Sequence, residues 1–160
     1  MQGNHEWWID DFVDEHPALK KKLDIGTNLK LKERGIEYIT AKRQRTNPLR
    51  IGKISYIHGW YCGVHHTKKT AWESKHNMIY GHTHDIQVNT RKEISNGGAR
   101  ILTQSIGCLC KETAFDYLKS PCNWMLAFGV TYVAKDGSFT HYTIPIPKYQ
   151  FIWNDKTYKN

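Results

Sequence analysis

Short apolar runs that end beside a histidine and a glycine constrain the fold of this chain more than any other feature. One run ends in Tyr56-Ile57-His58-Gly59, and a second, Asn77-Met78-Ile79-Tyr80, leads into Gly81-His82-Thr83-His84. Aromatic and β-branched residues favour strands, and a glycine at a strand end lets the backbone turn sharply. The pattern therefore predicts strands whose ends bring imidazoles towards a shared point.

The remaining pattern predicts helices first, then mixed structure, then mainly strands. Lys135-Asp136-Gly137-Ser138 is a strong hairpin signal, because Asp-Gly tolerates positive φ. We expect a single mixed α/β domain over residues 1–160, with a β-rich C-terminal half. The helices are predicted at 7–15, 17–23 and 65–75, and the strands at 36–41, 53–58, 77–80, 86–89, 101–106, 125–134, 139–146 and 149–153.

The composition bears on partners and on location. A formal net charge of +8 favours a phosphate-bearing partner such as nucleic acid, although many basic proteins bind none. No apolar run approaches the roughly 20 residues that span a bilayer, and no signal-peptide apolar segment follows Met1. We expect a cytoplasmic protein without a membrane partner. The four cysteines lack Cys-x-x-Cys spacing, which favours buried, reduced thiols.

Three histidine clusters follow one another along the chain. They are Gly3-Asn4-His5-Glu6, His58-Gly59 and Gly81-His82-Thr83-His84. Imidazole nitrogens, together with the amide oxygen of Asn4, are good ligands for zinc, manganese or iron. A lone histidine is usually an ordinary hydrogen-bonded polar group, so the prediction of a metal site depends on the three clusters occurring together.

In this order the three clusters resemble the last three motifs of the calcineurin-like metallophosphoesterases. The stretch 105–108, followed by Asn123-Trp124 and a β-hairpin, is also similar to the distal half of phage-encoded members. The resemblance implies a layered αββα sandwich with a mixed sheet. It also implies a hydrolase that cleaves phosphomonoesters or phosphodiesters, with nucleic acid favoured as substrate by the charge of the chain.

The resemblance also implies a role for each histidine. Asn4, His58 and His82 would ligate one metal ion, and His84 would ligate another. His5 would lie near the scissile phosphate, as a general acid or as a group that stabilises charge on the leaving oxygen. In such sites two cations about 3.5–4 Å apart polarise the phosphate and hold the attacking hydroxide.

Two upstream motifs of the family, Asp-x-His and Gly-Asp-x-x-Asp, are missing. Asp14-Glu15-His16 follows the first cluster and is interpreted as a coincidence. Without bridging carboxylates, two divalent ions near 4 Å would repel by about 4 kcal/mol at an effective dielectric of 20 for each pair of unit charges. We therefore expect at most one ion, on His82, His84 and His58 or Asn4.

The missing motifs, and the two residues before Gly3, lead us to interpret the chain as the C-terminal portion of a metallophosphoesterase domain. Such a fragment would be impaired or inactive alone. It would leave apolar surface and a sheet edge open. A homodimer, or a partner chain that carries the upstream half, is expected to cover that face.

Basic and aromatic residues suggest where a substrate would bind. Arg43 and Arg45 belong to a basic turn predicted at 42–50, and Trp60 follows His58-Gly59, where it would stack on a base. Ordinary solvated surface and core packing are the competing interpretations. Two other functions stay open: a non-catalytic basic module that binds nucleic acid or protein, and a structural zinc protein that uses Cys108, Cys110 and a histidine.

Overall fold

The structure is a computed structural model that describes residues 1–94, 97–111 and 122–159. The chain divides into two compact units, Met1–Leu49 and Arg50–Asn160. The first unit is helical, and the second is built around a mixed β-sheet. The prediction of a mixed α/β fold is confirmed at this level.

The first unit consists of short helices around a small core. Helix α1 begins after Gly3, whose backbone N–H donates to Glu6 Oε2 at 2.7 Å. Four buried apolar side chains form the core: Val13, Ile25, Leu31 and Ile39. The helices are α1 (Asn4–Glu15), a 3-10 turn (Pro17–Leu19), α2 (Lys20–Leu23), α3 (Ile25–Asn28) and α4 (Ala41–Thr46).

Two expectations for this unit are wrong. The predicted strand at 36–41 is absent, since Thr40 accepts a hydrogen bond from the backbone N–H of Arg43 at 3.2 Å and so caps α4. Threonine is a good N-cap, and its signal outweighs the β-propensity of the preceding residues. For the same reason the basic stretch 42–50 is mostly the helix α4 rather than a turn.

The second unit contains a five-stranded sheet in the order β1-β2-β3-β5-β4. β2 and β3 are parallel, β3 and β5 are parallel, and β4 runs antiparallel to β5. Helix α5 (His66–Ser74) connects β2 to β3. The strands are β1 (Leu49–Ile51), β2 (Ile54–Ile57), β3 (Asn77–Tyr80), β4 (Ile86–Glu93) and β5 (Ala99–Ile106).

β3 lies at the centre of this sheet, and three of its four residues are buried. Met78, Ile79 and Tyr80 are each at most 2% exposed. Apolar burial of this kind stabilises a fold by about 25 cal/mol per Å² removed from water. Helix α5 packs against the sheet, and Thr103 Oγ1 donates to the backbone oxygen of Thr67 at 2.8 Å. The central strand and the helix thereby hold the loops that follow β2, β3 and β5.

The side chain of Asn77, the first residue of β3, joins three parallel strands. Its Nδ2 donates to the backbone oxygen of Lys53 at 2.9 Å, and its Oδ1 accepts from the backbone N–H of Leu102 at 2.9 Å. Lys53 immediately precedes β2, and Leu102 lies in β5. One amide therefore fixes the alignment of β3 with both neighbours.

Two hairpins follow the sheet. β6 (Ala127–Val133) pairs with β7 (Phe139–Pro145) across the predicted turn at 135–138, and β8 (Gln150–Trp153) pairs with β9 (Lys156–Lys159). Sequence patterning does not predict β9. Asn154 and Asp155 turn the chain with φ of 48° and 58°. Two residues of positive φ are the geometry of a tight hairpin turn.

Candidate metal site at the strand ends

The carboxyl ends of β2 and β3 bring His58 and His82 together. The two strands are parallel and adjacent, so the loops that follow them leave the sheet at the same edge. His58 Nε2 lies 3.1 Å from His82 Nδ1, and the ring centroids are 4.9 Å apart. Two imidazoles from turns that are distant in sequence therefore converge on one point.

Gly59 allows this close approach of the two loops. Its φ is 138°, and a Cβ at this position would lie 2.6 Å from the Cβ of His82. Real Cβ atoms do not approach each other so closely, so any larger residue would displace His82. The adjoining Gly81 donates its backbone N–H to the backbone oxygen of His58 at 2.9 Å. The glycines beside the histidines thus have a structural reason, as the sequence pattern predicts.

The Gly81–His84 loop holds two histidines in the left-handed backbone conformation. The φ angles of His82 and His84 are 67° and 61°. For a residue with a Cβ this conformation costs about 1–2 kcal/mol. Such strain persists only where the surroundings enforce it, and it is common at functional sites.

A buried hydrogen-bond network centred on Asp85 holds this loop. The Asp85 carboxylate accepts from Thr83 Oγ1 at 2.6 Å, from Ser105 Oγ at 3.0 Å and from His66 Nε2 at 3.0 Å. The His66 side chain is 2% exposed and that of Asp85 is 12% exposed. Because a carboxylate only accepts, the proton on His66 lies on Nε2.

Tyr80 completes the network. Its hydroxyl lies 2.6 Å from His66 Nδ1, and it donates to that nitrogen when the ring is neutral. Burial raises the pKa of Tyr80 well above its usual range, so the hydroxyl keeps its proton at neutral pH. The network is therefore a fixed support beneath the loop, and sequence reasoning did not identify His66 or Asp85.

His84 lies beside two cysteines of the loop after β5. One ligand atom each from His84, Cys108 and Cys110 lie within 4.8 Å of one another, and the two sulfurs are 3.3 Å apart. This His/Cys/Cys group could hold a metal ion. It is the group of three such ligands found among the described residues, and it includes neither His58 nor His82. Burial raises the pKa of the Cys108 thiol to about 11.

Cys62 is another neighbour of the histidine pair that sequence reasoning did not place there. Its sulfur lies 2.9 Å from His82 Nε2, and the residue is exposed. All four cysteines are free, and the expectation that they are buried is wrong: Cys62 is at the surface and the other three are half-buried. A cysteine four residues after His58 carries no distinctive spacing, so the sequence offers no signal for this contact.

The predicted site residues of the first unit lie on its helices. Asn4 and His5 form the first turn of α1 rather than a loop, and the His5 ring stacks on Trp8 with centroids 5.0 Å apart. Arg43 pairs with Glu37, and Arg45 is exposed on α4. The first histidine cluster is a helix start, because Gly3 and Glu6 together cap α1.

Trp60 lies at the edge of the hydrophobic core of the second unit. Its ring packs against Ile57, Met78 and Tyr80, and it meets Tyr61 edge-on at 6.5 Å between centroids. Its indole Nε1 is buried and has no hydrogen-bond partner among the residues described.

Comparisons with known proteins give no relative for this chain. No protein-family model, curated protein or solved structure matches it. In the part of the chain that the structure describes, no helix has the length and apolar character needed to cross a membrane.

Proposed function

We propose that this chain provides imidazole ligands to the metal site of a metal-dependent phosphoesterase. The observation that carries the proposal is the contact between His58 and His82 at 3.1 Å, at the ends of two adjacent parallel strands. The order of the three histidine motifs supports the same class of enzyme. The substrate would be a phosphomonoester or phosphodiester.

The spacing of the two nitrogens suits a shared cation. Zinc binds imidazole nitrogen at about 2.0–2.1 Å, so two such ligands in a tetrahedral site lie about 3.3 Å apart. The separation of 3.1 Å between His58 Nε2 and His82 Nδ1 differs from this by a few tenths of an ångström. Zinc, manganese and iron all accept imidazole. A bound ion would polarise a phosphoryl oxygen and acidify a bound water.

The anionic ligands of a second ion are missing from the sequence. No Gly-Asp-x-x-Asp string occurs in the 160 residues. We therefore propose that the chain alone binds at most one ion at the His58–His82 site and hydrolyses phosphoesters weakly. A partner chain with the upstream carboxylates would complete a dinuclear centre.

Nucleic acid is the substrate class that fits the charge best. Phosphate contacts with lysine and arginine supply most sequence-independent binding to nucleic acid. The first unit carries many exposed cationic side chains that would make such contacts. They are Lys20, Lys21, Lys22, Lys30, Lys32, Lys42, Arg34 and Arg45.

Hydrolysis of bis(4-nitrophenyl) phosphate with added manganese tests the proposal. Activity that depends on manganese and is lost in His82→Ala is the expected result. His76→Ala is the matched control, because His76 is exposed just before β3, at the end of the strand away from His82, and its backbone exchanges hydrogen bonds with the Ser74 side chain. Equal activity in the two variants, or activity that survives chelation, would contradict the proposal.

A manganese-binding measurement covers the case of very slow turnover. Bound manganese broadens the NMR signals of nearby histidine rings, so His58 and His82 should broaden before His76. A wild-type chain that neither hydrolyses the phosphodiester nor shows this selective broadening would also reject the proposal.

A second candidate function is a non-catalytic module that binds nucleic acid through the same exposed cations. The observation in its favour is that none of these eight side chains forms an ion pair with a described residue, whereas the neighbouring Arg43 pairs with Glu37. DNA binding that survives chelator and His82→Ala, without hydrolysis, would favour the module over the enzyme.

A further inference from the structure

We propose that His84, Cys108 and Cys110 form a metal site of their own, which takes a thiophilic cation such as zinc through one imidazole and two thiolates. This site goes beyond the proposed phosphoesterase site at His58 and His82 and does not depend on it. The cation would join the loop after β3 to the loop after β5, and its three protein ligands leave a fourth position for a water molecule.

The distances fit a zinc ion with small adjustments. Zinc–sulfur bonds of about 2.3 Å place two thiolates of a tetrahedral site about 3.8 Å apart. The sulfurs of Cys108 and Cys110 are 3.3 Å apart, and the nitrogen of His84 lies within 4.8 Å of both. A cation between the three atoms therefore requires the two sulfurs to separate by about half an ångström and the imidazole to approach them by up to about 1 Å, which side-chain rotations supply.

The backbone around the three ligands is already fixed. Met125 donates its N–H to the backbone oxygen of His84 at 2.8 Å, and Cys108 donates to the backbone oxygen of Met125 at 3.0 Å. Ala127 donates to the backbone oxygen of Cys108 at 2.9 Å. These hydrogen bonds tie both ligand loops to one segment before β6, so the loops form one assembly before any ion binds.

Gly107 makes the two loops meet. Its φ is 76°, and a Cβ there would lie 2.4 Å from the backbone oxygen of Met125. Its N–H donates to the backbone oxygen of Asp85 at 2.8 Å, which links the residue after His84 to the residue before Cys108. The ring of Trp124 meets His84 edge-on, with centroids 4.2 Å apart. The imidazole therefore has both an aromatic ring and two thiols as neighbours.

The donor set selects the metal. Thiolates are soft ligands that favour zinc over magnesium, calcium or manganese. Each coordinating cysteine releases one proton, and His84 contributes a neutral nitrogen, so a divalent ion and two thiolates leave no net charge at the centre. A neutral centre suits these half-buried side chains better than isolated thiolates would.

Cobalt substitution tests the site without reference to hydrolysis. The full chain, freed of metal with a chelator and kept in a phosphine reductant, is titrated with Co²⁺. The expected result is a near-ultraviolet thiolate-to-cobalt charge-transfer band that saturates at one equivalent and disappears on addition of Zn²⁺. His84→Ala should shift saturation to higher cobalt, and Cys108→Ser with Cys110→Ser together should abolish the band.

Two variants serve as controls. Cys62→Ser removes a thiol outside the group, and His82→Ala removes the proposed phosphoesterase ligand, so both should keep the band. Circular dichroism establishes that each variant is folded. A wild-type chain without the band, a band that survives in the double cysteine variant, or a band lost in Cys62→Ser would each overturn the proposal. Loss of hydrolysis in His82→Ala with the band retained separates the two sites.

Discussion

Replacement of Asp85 by asparagine tests whether the buried network supports the histidine loop. The Asp85 carboxylate accepts hydrogen bonds from Thr83, Ser105 and His66, and also from Gln87 Nε2 at 2.8 Å. Thr83 and Ser105 share Oδ1, whereas His66 and Gln87 share Oδ2. All four groups are therefore arranged as donors around an acceptor-only side chain.

An asparagine has one oxygen and one NH₂ group, so it satisfies one pair of donors and opposes the other. With its oxygen towards Thr83 and Ser105, its NH₂ group faces the amide donor of Gln87 and the Nε2 proton of His66. The loss of two hydrogen bonds to a charged acceptor costs about 3–6 kcal/mol, at about 1.5–3 kcal/mol each. Domains of this size are stable by about 5–15 kcal/mol. The melting temperature should fall by about 6–24 °C.

The lowered pKa of Asp85 also determines how the free energy of unfolding changes with pH. Burial raises the pKa of the Asp85 carboxyl, but hydrogen bonds from Thr83, His66 and Ser105 more than offset this, so the pKa lies below its ordinary value of 3.8. The unfolded chain therefore binds the proton more tightly than the folded chain. The stabilisation is complete above the ordinary value and is lost as the pH falls through the lowered pKa. In Asp85→Asn, the free energy of unfolding should lack the contribution that wild type loses as the pH falls through this pKa.

Urea unfolding followed by circular dichroism, at neutral pH and in steps down to about pH 3, measures both effects. The control is Asp136→Asn, the same chemical change at an exposed turn where the carboxylate accepts from Ser138. We expect little change at neutral pH in the control. If Asp85→Asn is as stable as Asp136→Asn, the carboxylate does not support the loop and the argument is wrong.

Two glycine substitutions test the close approaches at the site. Gly59→Ala should disturb the His58–His82 contact, because the new Cβ would lie 2.6 Å from the Cβ of His82. The NMR chemical shifts of the histidine rings measure this change, and shifts equal to those of wild type would contradict the prediction. Gly107→Ala should lower the melting temperature more than Gly35→Ala. Both glycines have positive φ, at 76° and 63°, but only Gly107 would also meet a backbone oxygen, at 2.4 Å. Equal melting temperatures would show that the collision is relieved by a backbone shift.

The parts of the fold that the sequence predicts are those set by local patterns. The predicted strand at 77–80 and the predicted helix at 65–75 coincide closely with β3 and α5. Short apolar runs and helical periodicity are local signals that can be recognised from neighbouring residues alone. The turn at 135–138 follows from Asp-Gly. The approach of His58 and His82 follows from glycines at two strand ends.

The parts that the sequence does not predict depend on pairings between distant strands. β4 turns back against β5, and so β3 and β5 become neighbours although β4 lies between them in the chain. This order brings the loop after β3 to the loop after β5, and with it His84 to Cys108 and Cys110. Sequence patterning named these cysteines with an unspecified histidine, but no local signal identifies which one.

The amide of Asn77 has a consequence at the far end of the strands. β2 and β3 are each four residues long, a distance of about 13 Å at 3.3 Å per residue. A strand that slipped by two residues would keep its inward-facing side chains but would forfeit both bonds of this amide. The hydrogen bonds of Asn77 at the amino end of β3 therefore determine where His58 and His82 meet, at the carboxyl ends of β2 and β3.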